Sequence, residues 1–359
     1  MATCGGKADL VFHGGEVLAA EGDPLAAPVP GGGFRVRDCL GVRDGRVVFP
    51  EGRGGWRELA GPATETVDLR GSAVLPGIVD AHLHPLWGAR TLAGASLGYE
   101  PLSMEGTIGR LRDLLARDAG ACPDGLLLVR CWQRHGGADL TAADLDALET
   151  RRPVLLLSGD CHTVCLNRRA MEVFRDFLAG ADPPDGRILR DGAGRPGGLV
   201  EDGPAFRLYD HASRQEAREA AETLRRGLAA LNRQGVTSVM DARATPEALE
   251  AADLLWEEDA LTVRLSGAWE LTPDRCPSPG DAERAVREAA EAMRGYRRGP
   301  DAGAGAWPDA RVRPGVSLRH LKFFVDGMPG NATARLRSPY LAAPGPSGRP
   351  APLPPAPRG

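Results

Sequence analysis

Apolar positions along this chain come first in short strand-like runs, then at helical spacing, and the texture changes near residue 72. Asp9–His13 and Glu16–Ala19 read as strands around a Gly14-Gly15 turn. After an irregular Gly-rich stretch, Cys39–Val42 and Arg46–Phe49 flank an Asp44-Gly45 hairpin turn, and Thr66–Leu69 leads to Gly71. So small a β module cannot close a core unaided and calls for strands from elsewhere, such as a returning C-terminal segment.

From Ala73 onward the pattern predicts β/α alternation. Ala73–Asp80 is apolar enough for a strand buried on both faces. An insertion spanning roughly 90–210 follows, with a helix near Ile108–Arg117 and strands at Leu126–Arg130 and Val154–Leu157. Helix Ser213–Gln234 carries Ala220, Leu224, Leu228 and Leu231 at helical spacing, with Gly235 as its stop. Strand Val236–Met240, helix Pro246–Glu257, strand Leu261–Leu265, helix Ala282–Tyr296 and strand Leu318–Val325 come next. Such alternation predicts an α/β fold with parallel strands, a (β/α) barrel or a doubly wound sheet. With about four strands where a closed barrel needs eight, the expected barrel is half built.

Composition narrows this picture. The 359 residues are 42% hydrophobic and 26% charged, as in an ordinary globular protein with one large or two ordinary domains. A formal net charge of −4 without basic blocks argues against nucleic acid or an anionic membrane as partner. No signal peptide is read at Met1–Leu10, and no apolar run is long enough to span a bilayer. Seven cysteines at irregular spacings do not suggest a disulfide framework, so a cytoplasmic, reduced setting is expected. The 30 prolines are densest at the C-terminal end, where Ala342–Gly359 has almost no large apolar side chains. That tail reads as disordered or, more sharply, as a frame-shifted or prematurely ended reading of a longer gene.

The candidate chemistry centres on His82-Leu83-His84, at the end of the strand that holds Pro76-Gly77-Ile78-Val79-Asp80. Residues two apart on an extended chain point the same way, so both imidazoles converge, and imidazole is a common zinc ligand. Asp80 orients a ligand or makes a strand-end hydrogen bond. Lys322, Phe324 and Asp326 share one face of the last apolar strand, and a lysine buried there needs pairing, neutralisation or an escape to solvent. Asp160 and His162 read as a satisfied strand-end pair, a reading that the resemblance described below leaves open for His162. Trp132 and Asn167 read as pocket or packing residues, packing being favoured. Cys161 and Cys165 lack the further pair a structural zinc site needs, and His13, His135, His211 and His320 show no partner pattern.

The run Ala73–His84 resembles the first metal-binding strand of the amidohydrolase superfamily. Leu140–Asp146, Arg152–Leu156, Asp160-Cys161-His162 with Leu166-Asn167, Gly235–Val239 and Leu321–Gly327 occur in the order seen in amidohydrolase family 3. The resemblance implies a (β/α)8 TIM-like metallo-dependent hydrolase barrel beside a small β-sandwich, here present in part. On that reading 1–72 is part of the sandwich, 73–340 the incomplete barrel with its insertion, and 341–359 the Pro-rich tail. It implies hydrolysis of an amide or formamide C–N bond in a small-molecule substrate, with one or two divalent ions, zinc foremost. His82 and His84 would hold the first ion, and Lys322, carboxylated, would bridge to a second. His162 lies in the segment that approaches the substrate and is a candidate catalytic residue. A homo-oligomer is compatible with this reading. The family's later His-Ala-x-Gly-Asp run, a further histidine and a general-base aspartate do not follow Lys322; no histidine lies beyond His320. The competing expectation is therefore an inactive truncated or frame-shifted fragment, or a pseudoenzyme.

Overall fold

The computed structural model describes residues 6–20, 34–51, 55–117, 125–133, 140–272, 276–298, 314–326 and 334–337. The Pro-rich tail, His135, Gly327 and most of the Gly-rich stretch before Cys39 lie outside them. Among the described residues no helix is long and apolar enough to cross a membrane.

The N-terminal sheet has the order β3-β2-β1-β4, with β5 also pairing β1. Its strands are β1 (Leu10–Ala20), β2 (Phe34–Arg43), β3 (Arg46–Val48), β4 (Glu65–Asp68) and β5 (Ala73–Val74). Asp44 and Gly45 both take positive φ, 48° and 64°, as the tight hairpin between β2 and β3 requires. The expected Gly14-Gly15 turn does not form. One strand runs through it with a bulge between His13 and Val17, and Gly14 absorbs the irregularity at φ 74°. The strand expected over Ala73–Asp80 is likewise two: β5 joins the N-terminal sheet, and β6 (Ile78–Leu83) starts a different one after Pro76-Gly77. Proline has no N–H for a ladder, which explains the break. Nor is β6 buried on both faces, since Ile78 and Val79 are 52% and 66% exposed.

After α1 (Pro85–Thr91), the insertion builds a six-stranded sheet of its own, ordered β11-β12-β10-β9-β8-β7. Its elements are β7 (Ala95–Ser96), α2 (Met104–Arg117), β8 (Leu127–Trp132), α3 (Ala142–Asp146), β9 (Val154–Ser158) and β10 (Thr163–Leu166). They continue with α4 (Arg168–Val173), α5 (Arg175–Leu178), β11 (Gly186–Arg190), β12 (Pro196–Asp202) and α6 (Gly203–Ser213). Every residue of β9 and β10 is buried, and alternate residues serve opposite cores. Val154 and Leu156 pack with Leu111, Val129 and Leu145, whereas Leu155 and Leu157 pack with Leu178, Leu208 and Tyr209. Trp132 is core, and Asn167 caps α4 by accepting from the Ala170 N–H at 2.9 Å; both are packing residues, as favoured. The sequence pattern showed α2, β8 and β9 but missed β7, β10–β12 and α3–α6.

The third sheet is ordered β15-β16-β14-β13-β6. It alternates with α7 (Ala217–Asn232), β13 (Val236–Asp241), α8 (Pro246–Glu257), β14 (Arg264–Leu271), α9 (Pro279–Gly295), β15 (Arg297–Arg298) and β16 (Val316–Phe323). Four strands, β6, β13, β14 and β16, pair parallel, and short β15 pairs antiparallel with β16. Helix α8 has the expected bounds, started by Thr245, whose side chain accepts from the Ala248 N–H, and by Pro246. Strand β14 starts three residues later than the expected Leu261–Leu265 and ends six residues beyond it. Its core joins Leu224 and Leu228 of α7 to Leu255 of α8 and to Val239, Leu265 and Leu318 of the strands. Helix α7 also presses on α1: a Cβ on Gly227 would lie 2.5 Å from that of Ala89, so only glycine permits this approach. Within the described residues β6 pairs on one side only, with β13, and the sheet is open.

Candidate functional site

Three of the parallel strands deliver polar side chains from their C-terminal ends, or just beyond, to one neighbourhood. Strand β6 ends in exposed His82 and runs into half-buried His84; the rings stand edge to face with centroids 5.7 Å apart. The Asp80 carboxylate accepts the His82 backbone N–H at 3.0 Å, making the strand-end hydrogen bond weighed for it. His84 occupies the N-cap position of α1 without making a side-chain cap hydrogen bond.

Beside it, β13 ends in Asp241, 3% exposed and aligned with Leu83 across the ladder. Its Oδ1 accepts the Arg243 backbone N–H at 3.1 Å and lies 3.5 Å from His84 Nδ1. That separation suits an ion pair with a protonated ring but is too long for a sound hydrogen bond. His84 Nδ1 is in fact buried with no hydrogen-bond partner. Two imidazoles, one with an orphaned nitrogen, next to a buried carboxylate suit a divalent cation as a partial ligand set. No three His, Cys, Asp or Glu side chains among the described residues already stand in metal-binding arrangement.

Arg243 fills the space behind these groups. Its guanidinium lies 4.9 Å from the Trp87 ring centroid and 5.5 Å from that of Phe206. It donates to Asp210 Oδ2 and Glu270 Oε1, each at 2.7 Å, and Trp87 Nε1 donates to Asp210 Oδ1 at 2.9 Å. Burial alone would push the guanidinium's pKa down; the two carboxylates, Asp210 foremost, raise it instead, so the cation persists.

Lys322 is half-buried on β16, opposite Glu270 of β14. Its Nζ lies 4.7 Å from the Phe324 ring centroid, which bears out the shared face read from the alternation. Asp326 is exposed and accepts the Arg335 N–H at 3.0 Å. From the inserted sheet, His162 packs edge-on against Phe206 at 4.8 Å, and Phe206 in turn meets Phe324 at 6.0 Å and Trp87 at 5.8 Å. Phe206 thus joins the His84–Trp87 side to the Lys322–Phe324 side, bringing His84, Lys322 and His162 around one aromatic cluster, with His82 joined to it through His84. His162 is not ring-paired with Asp160, which accepts its backbone N–H; its Nδ1 meets Asp202 Oδ1 at 2.9 Å.

Asp241, Arg243, Asp210, Glu270 and Asp202 were missed in the sequence. Asp241 was within reach: extending the Val236–Met240 strand by one residue puts a carboxylate at the same sheet end as His82. The others meet their partners only through contacts more than 25 residues away in the chain.

The sequence pattern of the amidohydrolase family matches residues 65–354. N-substituted formamide deformylase of Arthrobacter pascens is 27% identical over 219 residues, 58% of this chain and 40% of that protein. Putative amidohydrolase YtcJ of Bacillus subtilis (strain 168) is 29% identical over 202 residues, 54% of this chain and 34% of its own. This chain thus spans well under half the length of both. Among solved structures, an uncharacterized metal-dependent hydrolase from Pyrococcus horikoshii superposes with a TM-score of 0.57 at 20% identity, over 92% of this chain and 57% of that one. One from Pyrococcus furiosus gives 0.56 at 21%, over 92% and 59%. With the family pattern covering well over half of its residues, the chain belongs to the amidohydrolase family, in family 3.

Proposed function

We propose that the site belongs to a metal-dependent hydrolase that cleaves the C–N bond of an amide or formamide. The observation that carries this reading is the pair His82 and His84 at the C-terminal end of a parallel strand, with His84 Nδ1 buried and unsatisfied beside Asp241. We read the four parallel strands as successive strands of a (β/α)8 barrel, whose active sites lie at this end, and the N-terminal sheet as part of a β-sandwich. The two pyrococcal neighbours support that architecture.

His82 and His84 would hold the ion, and Lys322, carboxylated as the family resemblance implies, would add an anionic oxygen. Zinc suits such a set; when bound, it would acidify a water and polarise the scissile carbonyl. Asp241 would steady the His84 ring. Trp87, Phe206 and Phe324 would present an apolar wall, and His162 would meet the substrate from the inserted sheet.

The test is zinc titration by calorimetry with elemental analysis, alongside amine release from simple formamides. We expect stoichiometric metal, and at least about a hundredfold weaker binding in His84→Ala. No specific metal binding to the wild-type chain would overturn the reading. A second reading is metal binding without turnover. Tight zinc with no amine released from any amide would favour it.

A further inference from the structure

Trp269 and Glu270 are neighbours on β14 and therefore point to opposite faces of the parallel sheet. Glu270 meets Arg243, which stacks on Trp87, whereas Trp269 packs against the core that the sheet shares with α7 and α8. There the indole is not fully covered. A cavity of about 440 Å³ stands between Trp269, α8 and Tyr296, the C-cap residue of α9. A second, of about 260 Å³, is lined by the same Trp269 and by α9.

The larger cavity has the volume of an ordinary small-molecule site. Leu249, Trp269 and Tyr296 give it apolar and aromatic walls, and Glu250, Asp253 and Glu257 line it from α8. Among the described residues no lysine or arginine lines it. The Tyr296 ring is held in place by its hydroxyl, which reaches Asp253 Oδ1 at 2.9 Å and the Leu249 carbonyl at 3.1 Å. The three carboxylates stand three and four residues apart on one face of α8, a spacing at which like charges repel. Among the described residues neither exposed Glu250 nor exposed Glu257 is offset by an ion pair. Aromatic walls with uncompensated negative charge beside them complement a cation that has a hydrocarbon body.

We propose that this cavity binds a small quaternary ammonium compound, a free alkyltrimethylammonium, against Trp269 and Tyr296 with Glu250, Asp253 and Glu257 balancing its charge. A primary ammonium carries three N–H donors that each want an acceptor. The carboxylate nearest the rings, Asp253, already takes the Tyr296 hydroxyl, and the other two lie at the exposed rim. A trimethylammonium head has no N–H to satisfy and gains from ring faces and nearby charge alone. The site lies on the helix side of the sheet, away from the polar groups around Arg243, so it stands or falls apart from the hydrolase reading.

The experiment titrates choline, and as control its uncharged isostere 3,3-dimethyl-1-butanol, into the full chain labelled at the indole nitrogens, without added metal. Trp269→Phe identifies its signal among the six tryptophans. We expect that signal to shift saturably with choline at a Kd of about 1 mM or tighter, and to need at least about tenfold more of the isostere. The double variant Glu250→Gln with Glu257→Gln, altered only at exposed positions, should bind choline about fivefold more weakly. Added salt should narrow that difference. An unmoved Trp269 signal, an equal response to the isostere, or a shift confined to another indole such as Trp87 overturns the proposal. So does an unchanged choline affinity in the double variant. Should Trp269→Phe fail to fold, calorimetric affinities of wild type and double variant for the two probes still decide.

Discussion

The inserted sheet and the parallel sheet are built from similar side chains, yet they treat them differently. Strands β9 and β10 of the insertion are buried at every position and have a hydrophobic core on each face. Strand β6 of the parallel sheet, with four apolar residues of its six, leaves Ile78 and Val79 more than half exposed, carries His82 and leads into His84. The lesson is that apolar content alone does not say whether a strand is interior. Neighbours on both edges and both faces do, and among the described residues β6 has a neighbour on one edge only. The insertion supplies a core on each face, while the parallel sheet supplies the open end where polar groups collect.

Arg243 tests how the two regions are joined. It ties Asp210 of α6 to Glu270 of β14 while stacked on Trp87 and Phe206. Arg243→Met should cost about 3 kcal/mol, because it leaves two partly buried carboxylates uncompensated. Chemical denaturation with separate probes in each sheet would check this. A loss below about 1 kcal/mol would mean that the two regions are held together by other contacts.

The burial contrast predicts the next effect. Leu156→Ala, at a side chain with no exposure, should destabilise by about 3 kcal/mol, whereas Val79→Ala should stay within about 0.5 kcal/mol. Urea midpoints of the pair measure the difference directly. Similar losses at both positions would show that β6 is covered in solution.

The smallest expected effect concerns Cys161, beside His162. Burial, with Asp160 and Cys131 adding to it, pushes its thiol up from 9.0 to about 11. A raised folded-state value favours the neutral thiol, so its share of stability is intact below pH 9 and drains away between about pH 9 and 11. Alkylation by iodoacetamide should accordingly stay slow at pH 8 and quicken only toward pH 11. Rapid labelling at pH 8 would contradict the burial.

How much of this was legible beforehand follows from the range of each interaction. Helix α8 could be read to the residue, because Thr245-Pro246 starts it and its apolar spacing is local. His82 and His84 were legible because a two-residue period needs no distant partner. The β1 bulge was not: Gly14-Gly15 is written like a turn, and only pairing with β2 and β4 decides that the strand continues. Strands β10–β12 were hidden for a similar reason, since a short apolar run does not state its partners. Asp202 is the extreme case, an aspartate before Gly-Pro that looks like an ordinary cap and instead serves a histidine 40 residues earlier.

The glycine at 227 gives the site a genetic address away from its own residues. Helix α1 begins next to His84 and bears Trp87, and it rests on α7 at a point where no side chain can be tolerated. An allele that adds even a methyl group there would lift α1 from behind. Its carrier would show a defect at the His82–His84 end of the sheet, although the altered codon lies more than a hundred positions downstream of either histidine.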